Sequence, residues 1–222
     1  LSTNLRMYDL NVAPTEIPVT SLAGVNLFVP VAERASEQFA SRLRKVARER
    51  AKWARKAGIQ SYRVYDADLP NFAFSIDVYR KSSDNELIAR VEEHRAGSGV
   101  ERERADRRFF DGLAIIPAVL DMADERVFFK RSVHEKGAPI SPDYWADVRE
   151  AEFTFEANLG SQRDCGFALD MRPVRELLRA EAAGKRFACL LAHAGAPTVY
   201  AAAGGASSTV TVDPAKAFLE QA

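Results

Sequence analysis

The stretch from Arg186 to Asp213 constrains the fold most, because it has the rhythm of a nucleotide-type strand–helix–strand unit. An apolar strand from Arg186 to Leu191 leads into a turn containing Gly195. A helix of small residues from Thr198 to Ala203 follows, then Gly204 and Gly205, then a strand from Ser208 to Val212 that ends on Asp213. Each part has a physical use. Glycine at 195 lets the backbone come close to a ligand, and an acid at the end of the second strand can accept hydrogen bonds from both hydroxyls of a ribose. One glycine is a weaker signature than a full Gly-x-Gly-x-x-Gly, and an ordinary turn between strand and helix has the same spacing.

Upstream, Phe39, Leu43, Val46, Trp53 and Ala57 recur at helical spacing, which predicts a helix from Ala32 to Ala57 stopped by Gly58. Its polar side carries Arg42, Arg44, Lys45, Arg48, Lys52, Arg55 and Lys56 against few acids. Lysine plus arginine equal aspartate plus glutamate at 31 each, so any contact with a polyanion must come from a local patch such as this one. A solvated helix face reads the same way.

Between these two features the pattern is mixed. Residues 1 to 30, with Pro14, Pro18 and Pro30 excluding a helix, read as a linker leading to a strand near Val25 to Val29. Strands are expected at Ile59 to Tyr65 and Phe72 to Tyr79, with Asp66 to Asn71 as the turn between them. Residues 80 to 103 read as a charged surface loop with a little helix. A helix from Arg104 to Leu120 comes next, then a strand from Arg126 to Arg131. The basic segment Lys130 to Gly137 reads as a loop able to face a polyanion, and its His134 as a surface residue. Phe153 to Asn158 alternates as a strand. Gly166 to Pro173 reads as a strand running into a helix, with Val174, Leu177, Leu178 and Ala182 as that helix's apolar face. Cys165 and Cys189 have no partners at metal-ligand spacing and read as inert core thiols in a reducing compartment. No metal site is expected, and the longest apolar stretch, broken by His193 and Pro197, is a poor membrane span.

Five ordered words go beyond spacing: Lys52-Trp53-Ala54-Arg55, Tyr62 through Pro70 (YRVYDADLP), Lys136-Gly137, Leu169-Asp170-x-Arg172, and Thr198 through Asp213 (TVYAAAGGASSTVTVD). Together they resemble the C-terminal half of the bifunctional large-subunit rRNA methyltransferase family, the half that makes 7-methylguanosine in 23S rRNA beside a partner half that methylates the exocyclic amine of guanine. The likeness runs from about Ala32 to the last residue. It implies an α/β fold in which a small α+β RNA-facing subdomain (32–160) follows a leading linker (1–31) and precedes an incomplete Rossmann-like class I methyltransferase unit (161–222).

By the same likeness the cofactor is S-adenosyl-L-methionine. Asp170 and Arg172 belong to the segment that closes over it, Gly195 to the cofactor turn and Asp213 to the ribose position. Arg44, Arg48, Lys52, Lys130 and Lys136 become the RNA contacts, the partners are ribosomal RNA and a second methyltransferase half, and the location is cytoplasmic. No side chain is assigned as a catalyst, since guanine N7 carries a free lone pair and needs alignment more than a base. The chain departs from the family at Cys189-Leu190-Leu191-Ala192-His193-Ala194-Gly195, where members usually show Asn-Leu-Phe-Ala/Ser-Tyr-Thr-Gly. It also has no Pro-Pro dipeptide, so the Asp-Pro-Pro-x-Phe motif that holds the target base is absent. On this reading the chain alone lacks one wall of the acceptor site and is an inactive or purely RNA-binding piece.

Overall fold

A computed structural model describes residues 14–94, 100–132, 140–193, 195–214 and 216–219. Of the predicted N-terminal linker, residues 1–13 lie outside the described residues, and the rest is a hairpin whose second strand overlaps the one expected near Val25 to Val29. Strands β1 (Thr15–Thr20) and β2 (Asn26–Val31) pair antiparallel and bury Ile17, Val19, Val29 and Val31. The prolines that exclude a helix are accommodated here, because an isolated two-stranded ribbon has an outer edge that asks for no N–H donor. Helix α1 (Glu37–Ala57) starts from a 3-10 turn at Arg34–Ser36, later than the Ala32 expected, and ends on Gly58 in the left-handed conformation at φ 68°.

The central sheet has the order β3 (Tyr62–Asp66), β4 (Phe74–Arg80), β5 (Leu87–Glu93), β6 (Val127–Lys130). The first three strands meander antiparallel, while β5 and β6 are parallel and joined through helix α2 (Arg102–Leu120). Strand β5 corrects the surface loop expected over 80–103. Its charged residues hide a buried run from Ile88 to Val91, and the charge in the middle of that run is internal. Arg90 is only 4% exposed and donates to the carbonyls of Leu159 (2.7 Å) and Arg163 (3.3 Å). A buried guanidinium is tolerated where its donors find acceptors.

Alternation along these strands creates two cores. Phe74, Ile76, Val78, Ala89, Val91, Val127 and Phe129 face α1, α2 and the N-terminal hairpin. There Phe39 stacks on Phe72 (4.7 Å) and meets Phe74 edge-on (5.2 Å). Asp111 of α2 ties the elements together, accepting from the amides of Ala32 (2.6 Å) and Glu33 (3.0 Å) and from the Ser36 hydroxyl (2.6 Å). Burial pushes its carboxyl up while these three donors pull it down.

The opposite face, with Tyr79, Ile88 and Phe128, is covered by a second hairpin of β7 (Trp145–Glu150) and β8 (Phe153–Asn158). Strand β7 escapes a sequence reading, because its Ala146, Val148 and Glu150 form a buried face that includes a carboxylate. Phe167, Leu169, Ala196 and Tyr200 complete this core, so position 160/161 falls inside continuous packing.

The strand expected before Pro173 is a 3-10 turn (Leu169–Met171) entering helix α3 (Arg172–Glu181). The face buried by α3 differs from expectation in part, since Ala182 is buried and Leu178 half-buried as expected. Val174 is 43% and Leu177 61% exposed, whereas Arg175 is 2% exposed. Its guanidinium clasps Glu150 through two bonds of 2.7 Å, donates to the Ala168 carbonyl (2.9 Å), and lies 4.8 Å from the centre of the Phe167 ring. The Tyr200 hydroxyl also donates to Glu150 (3.0 Å). A hydrogen-bonded ion pair takes the place of Val174 and Leu177 in the apolar face that periodicity suggested.

The expected terminal unit is present: β9 (Arg186–Leu190), α4 (Ala196–Ala203) and β10 (Ser208–Val212), with the two strands parallel, followed by the short helix α5 (Lys216–Leu219). Gly204 lets α4 end directly on α3, since a Cβ there would collide with the Arg179 carbonyl. Among the described residues no helix is long and apolar enough to cross a membrane.

Removing one member of the buried pair leaves the other uncompensated. Glu150→Ala or Arg175→Ala should each lower stability by about 3–5 kcal/mol. The double replacement Glu150→Leu/Arg175→Met should cost far less, and urea denaturation midpoints compare all three.

Candidate functional site

The loop from β9 to α4 coils tightly through three residues with positive φ: Leu191 (56°), His193 (47°) and Gly195 (70°). Two of these are not glycine, a conformation that persists only where the surroundings hold it. Here the hold is explicit. The Ala192 amide donates to the Val212 carbonyl (3.3 Å), the His193 amide to Asp213 Oδ2 (3.1 Å), and the Gly195 amide to the Ala192 carbonyl (2.9 Å). The Gly195 carbonyl then accepts from the amides of Thr198 and Val199, opening α4. The Thr198 and Thr211 hydroxyls join at 2.9 Å, linking the first turn of α4 to β10.

Gly195 and Asp213 are therefore brought together at the carboxyl ends of two parallel strands, where ligands of such sheets bind. Leu190 (71% exposed) and Leu191 (69%) border the turn. Cys189 lies beneath it. Burial raises its thiol pKa most, a hydrogen bond with Thr198 lowers it, and the nearby Asp213 charge raises it.

Asp170 and Arg172 are placed elsewhere. They line a cleft of about 890 Å³ whose other wall is α1 and the sheet edge, and neither Gly195 nor Asp213 lines it. Arg172 reaches across to donate to the Ser61 carbonyl (2.8 Å), and its guanidinium lies 5.9 Å from the centre of the Trp53 ring. A bulge in β3 between Arg63 and Tyr65 shapes the cleft floor. It lets Arg63 fork onto Asp77 (2.8 and 3.0 Å) while the Tyr65 hydroxyl turns inward, accepting from the Leu69 amide and donating to the Phe72 carbonyl. Burial pushes the Tyr65 phenol up to about 12.

Trp53, read from spacing as a core position, is exposed at the cleft lip because its neighbour Ala54 takes the buried site on α1. The signal that marks it is an aromatic inside the basic run Arg50 to Lys56.

The basic stripe expected on α1 is divided, with Arg42 turned to the cleft and paired with Asp68. Arg44, Arg48 and Lys52 line a groove of about 1000 Å³ between α1 and β1, with Arg44 anchored on the Ser21 carbonyl (3.0 Å). Lys130 faces the cleft instead, bound to Glu92 at 2.7 Å. Its neighbour Arg131 is buried against Glu93 and Asp106. Lys136, and with it His134 and Gly137, lies outside the described residues. Among the described residues no three His, Cys, Asp or Glu side chains are grouped to hold a metal ion.

A sequence model of the S-adenosylmethionine-dependent methyltransferases matches residues 104–222. Two relatives carry the name ribosomal RNA large subunit methyltransferase K/L. The one from Pseudomonas fluorescens is 38% identical over 203 residues, covering 87% of this chain, and the one from Pseudomonas aeruginosa is 39% identical over 191 residues, covering 84%. The chain spans about a quarter (26%) of the length of each. Among solved structures, one described as a methyltransferase complexed with S-adenosylhomocysteine aligns with TM-score 0.55 at 22% identity, over 82% of this chain and 46% of its own. A second, described as S-adenosylmethionine-dependent and from Streptococcus mutans, aligns with TM-score 0.55 at 19% identity, over 98% and 62%. At these identities the structural likeness speaks for the fold: a mixed α/β chain of class I methyltransferase type.

With both thiols raised by burial, Cys189 and Cys165 should hold less thiolate than free cysteine at pH 8 and alkylate more slowly in the native protein than in urea. The gap should narrow as pH climbs through the native thiol range. Iodoacetamide labelling followed by mass spectrometry measures it.

Proposed function

The chain belongs to the S-adenosylmethionine-dependent methyltransferase family, and from that premise we propose that it forms part of an enzyme methylating N7 of a guanine in large-subunit (23S) ribosomal RNA. One observation carries the cofactor part of this reading: the Asp213 carboxylate stands at the end of β10, fixed by the His193 amide of the turn that runs on to Gly195 at φ 70°. A carboxylate in that place suits the paired hydroxyls of a ribose. The residues thus fit the nucleoside end of S-adenosylmethionine. When bound, the cofactor supplies an electrophilic methyl group on sulfur.

The chain's own contribution is to bind and orient. Gly195 and Asp213 hold the nucleoside, while Asp170 and Arg172 line the separate cleft against α1. Arg44, Arg48 and Lys52, joined by Lys136, neutralise RNA phosphates, while Lys130, paired with Glu92, lines the cleft. Guanine N7 has its lone pair free, so no side chain has to remove a proton before transfer, and placement of the acceptor nitrogen carries the catalysis. The partner this reading assigns to hold the target base is a second methyltransferase half. An enzyme of this substrate works in the cytoplasm.

A second reading, an RNA-binding module without transfer activity of its own, is favoured by a separate observation. The basic stripe and Trp53 all precede residue 104, where the family match begins.

Calorimetric titration with S-adenosylhomocysteine should release heat with the native sequence and lose it in Asp213→Ala. Absence of heat with the native sequence sinks the cofactor site. Replacing Arg44, Arg48 and Lys52 together by Ala should weaken RNA binding and flatten the slope of log K against log salt, by about 0.7 per lost single-strand phosphate contact. An unchanged slope removes the stripe from the interface.

A further inference from the structure

Trp53 is unexplained by the fold. At its level of α1 the buried site is filled by Ala54, 2% exposed, which leaves the indole 44% exposed at the mouth of the 890 Å³ cleft. Tyr62 stands perpendicular to it at 6.2 Å, and the Arg172 guanidinium approaches to 5.9 Å. Both contacts fix the orientation of the ring without burying it.

The cleft's charge narrows what it takes. As many acidic as basic side chains line it, and several are already paired: Arg42 with Asp68, Arg63 with Asp77, Lys130 with Glu92. Such a surface offers donors and acceptors but no net attraction for phosphate. The phosphate-attracting surface lies on the other flank of the same helix, at Arg44, Arg48 and Lys52, and Glu49 borders both grooves. A nucleic-acid strand following the basic groove therefore has its backbone held on one side of α1 and a neutral, polar, aromatic-lipped cleft on the other. That arrangement suits an uncharged heteroaromatic ring, stacked on an aromatic side chain and hydrogen-bonded at its edges, as unpaired RNA bases are read.

We infer that Trp53 is a stacking platform for an unpaired base of the RNA substrate, seating it in the cleft beside Asp170 and Arg172. The inference rests on the RNA-modifying reading above and assigns Trp53 a positioning role within it.

The chain has two tryptophans, Trp53 and Trp145, so Trp145→Phe leaves Trp53 as the sole reporter. Titrating that protein with a short unpaired oligoribonucleotide should quench its fluorescence, while inorganic polyphosphate should not. Trp53→Ala should weaken oligoribonucleotide binding about tenfold, with the salt slope unchanged and helical circular dichroism preserved. Trp53→Phe should restore most of the affinity. If the oligoribonucleotide binds but neither the fluorescence nor the Trp53→Ala affinity responds, the stacking role is overturned and the RNA reading stands. If it fails to bind the native sequence at all, the RNA reading falls and the inference falls with it.

Discussion

The clasp of Arg175 on Glu150 is the interaction on which the arrangement of the molecule turns. It joins three pieces of chain far apart in sequence: hairpin β7–β8 through Glu150, helix α3 through Arg175, and helix α4 through the Tyr200 hydroxyl. Hydrophobic packing alone could tolerate small shifts among these pieces, since apolar contacts are non-directional. Two parallel hydrogen bonds between a planar guanidinium and a carboxylate set both distance and angle. Because Arg175 also donates to the Ala168 carbonyl, the same group fixes the segment entering α3, and with it the position of Asp170 and Arg172 at the cleft.

How far the sequence reveals this arrangement depends on whether local pattern and burial agree. The terminal unit was legible because its small-residue helix, its glycines and its two short strands each favour one conformation, and the parallel pair β9–β10 follows from them. Helix α1 was legible for the same reason, down to Gly58 as its stop. Three of the failures share one cause, which is charge carried into the interior. Arg90 in β5, Glu150 in β7 and Arg175 in α3 are all buried, and each breaks the polarity pattern of an element that would otherwise be read correctly. The N-terminal hairpin failed differently, since two prolines in a two-stranded ribbon resemble the prolines of a linker.

The site residues divide along the same line. Gly195 and Asp213 belong to a local motif and come together as the motif implies. Asp170 and Arg172 face a cleft whose opposite wall, α1 and β3, lies more than a hundred residues earlier, a distance no local pattern spans. Trp53 illustrates the limit most clearly. Helical spacing gives positions 53 and 54 almost equal claim to the core, and only the packed structure shows that the alanine is inside and the indole at the lip.

The contact at Gly204 bears on how the two halves of the site relate. Where helices meet through side chains, rotamer changes let one slide along the other, and such shear is a common route to domain motion. A carbonyl cannot rotate aside. At this one point the Arg179 backbone rests on Gly204 with no side chain between, while Arg175 and Tyr200 meet through Glu150 elsewhere along α3 and α4. A side chain at 204 would therefore push α3 and α4 apart at that point and loosen the seat of Arg175, on which the segment entering α3 depends.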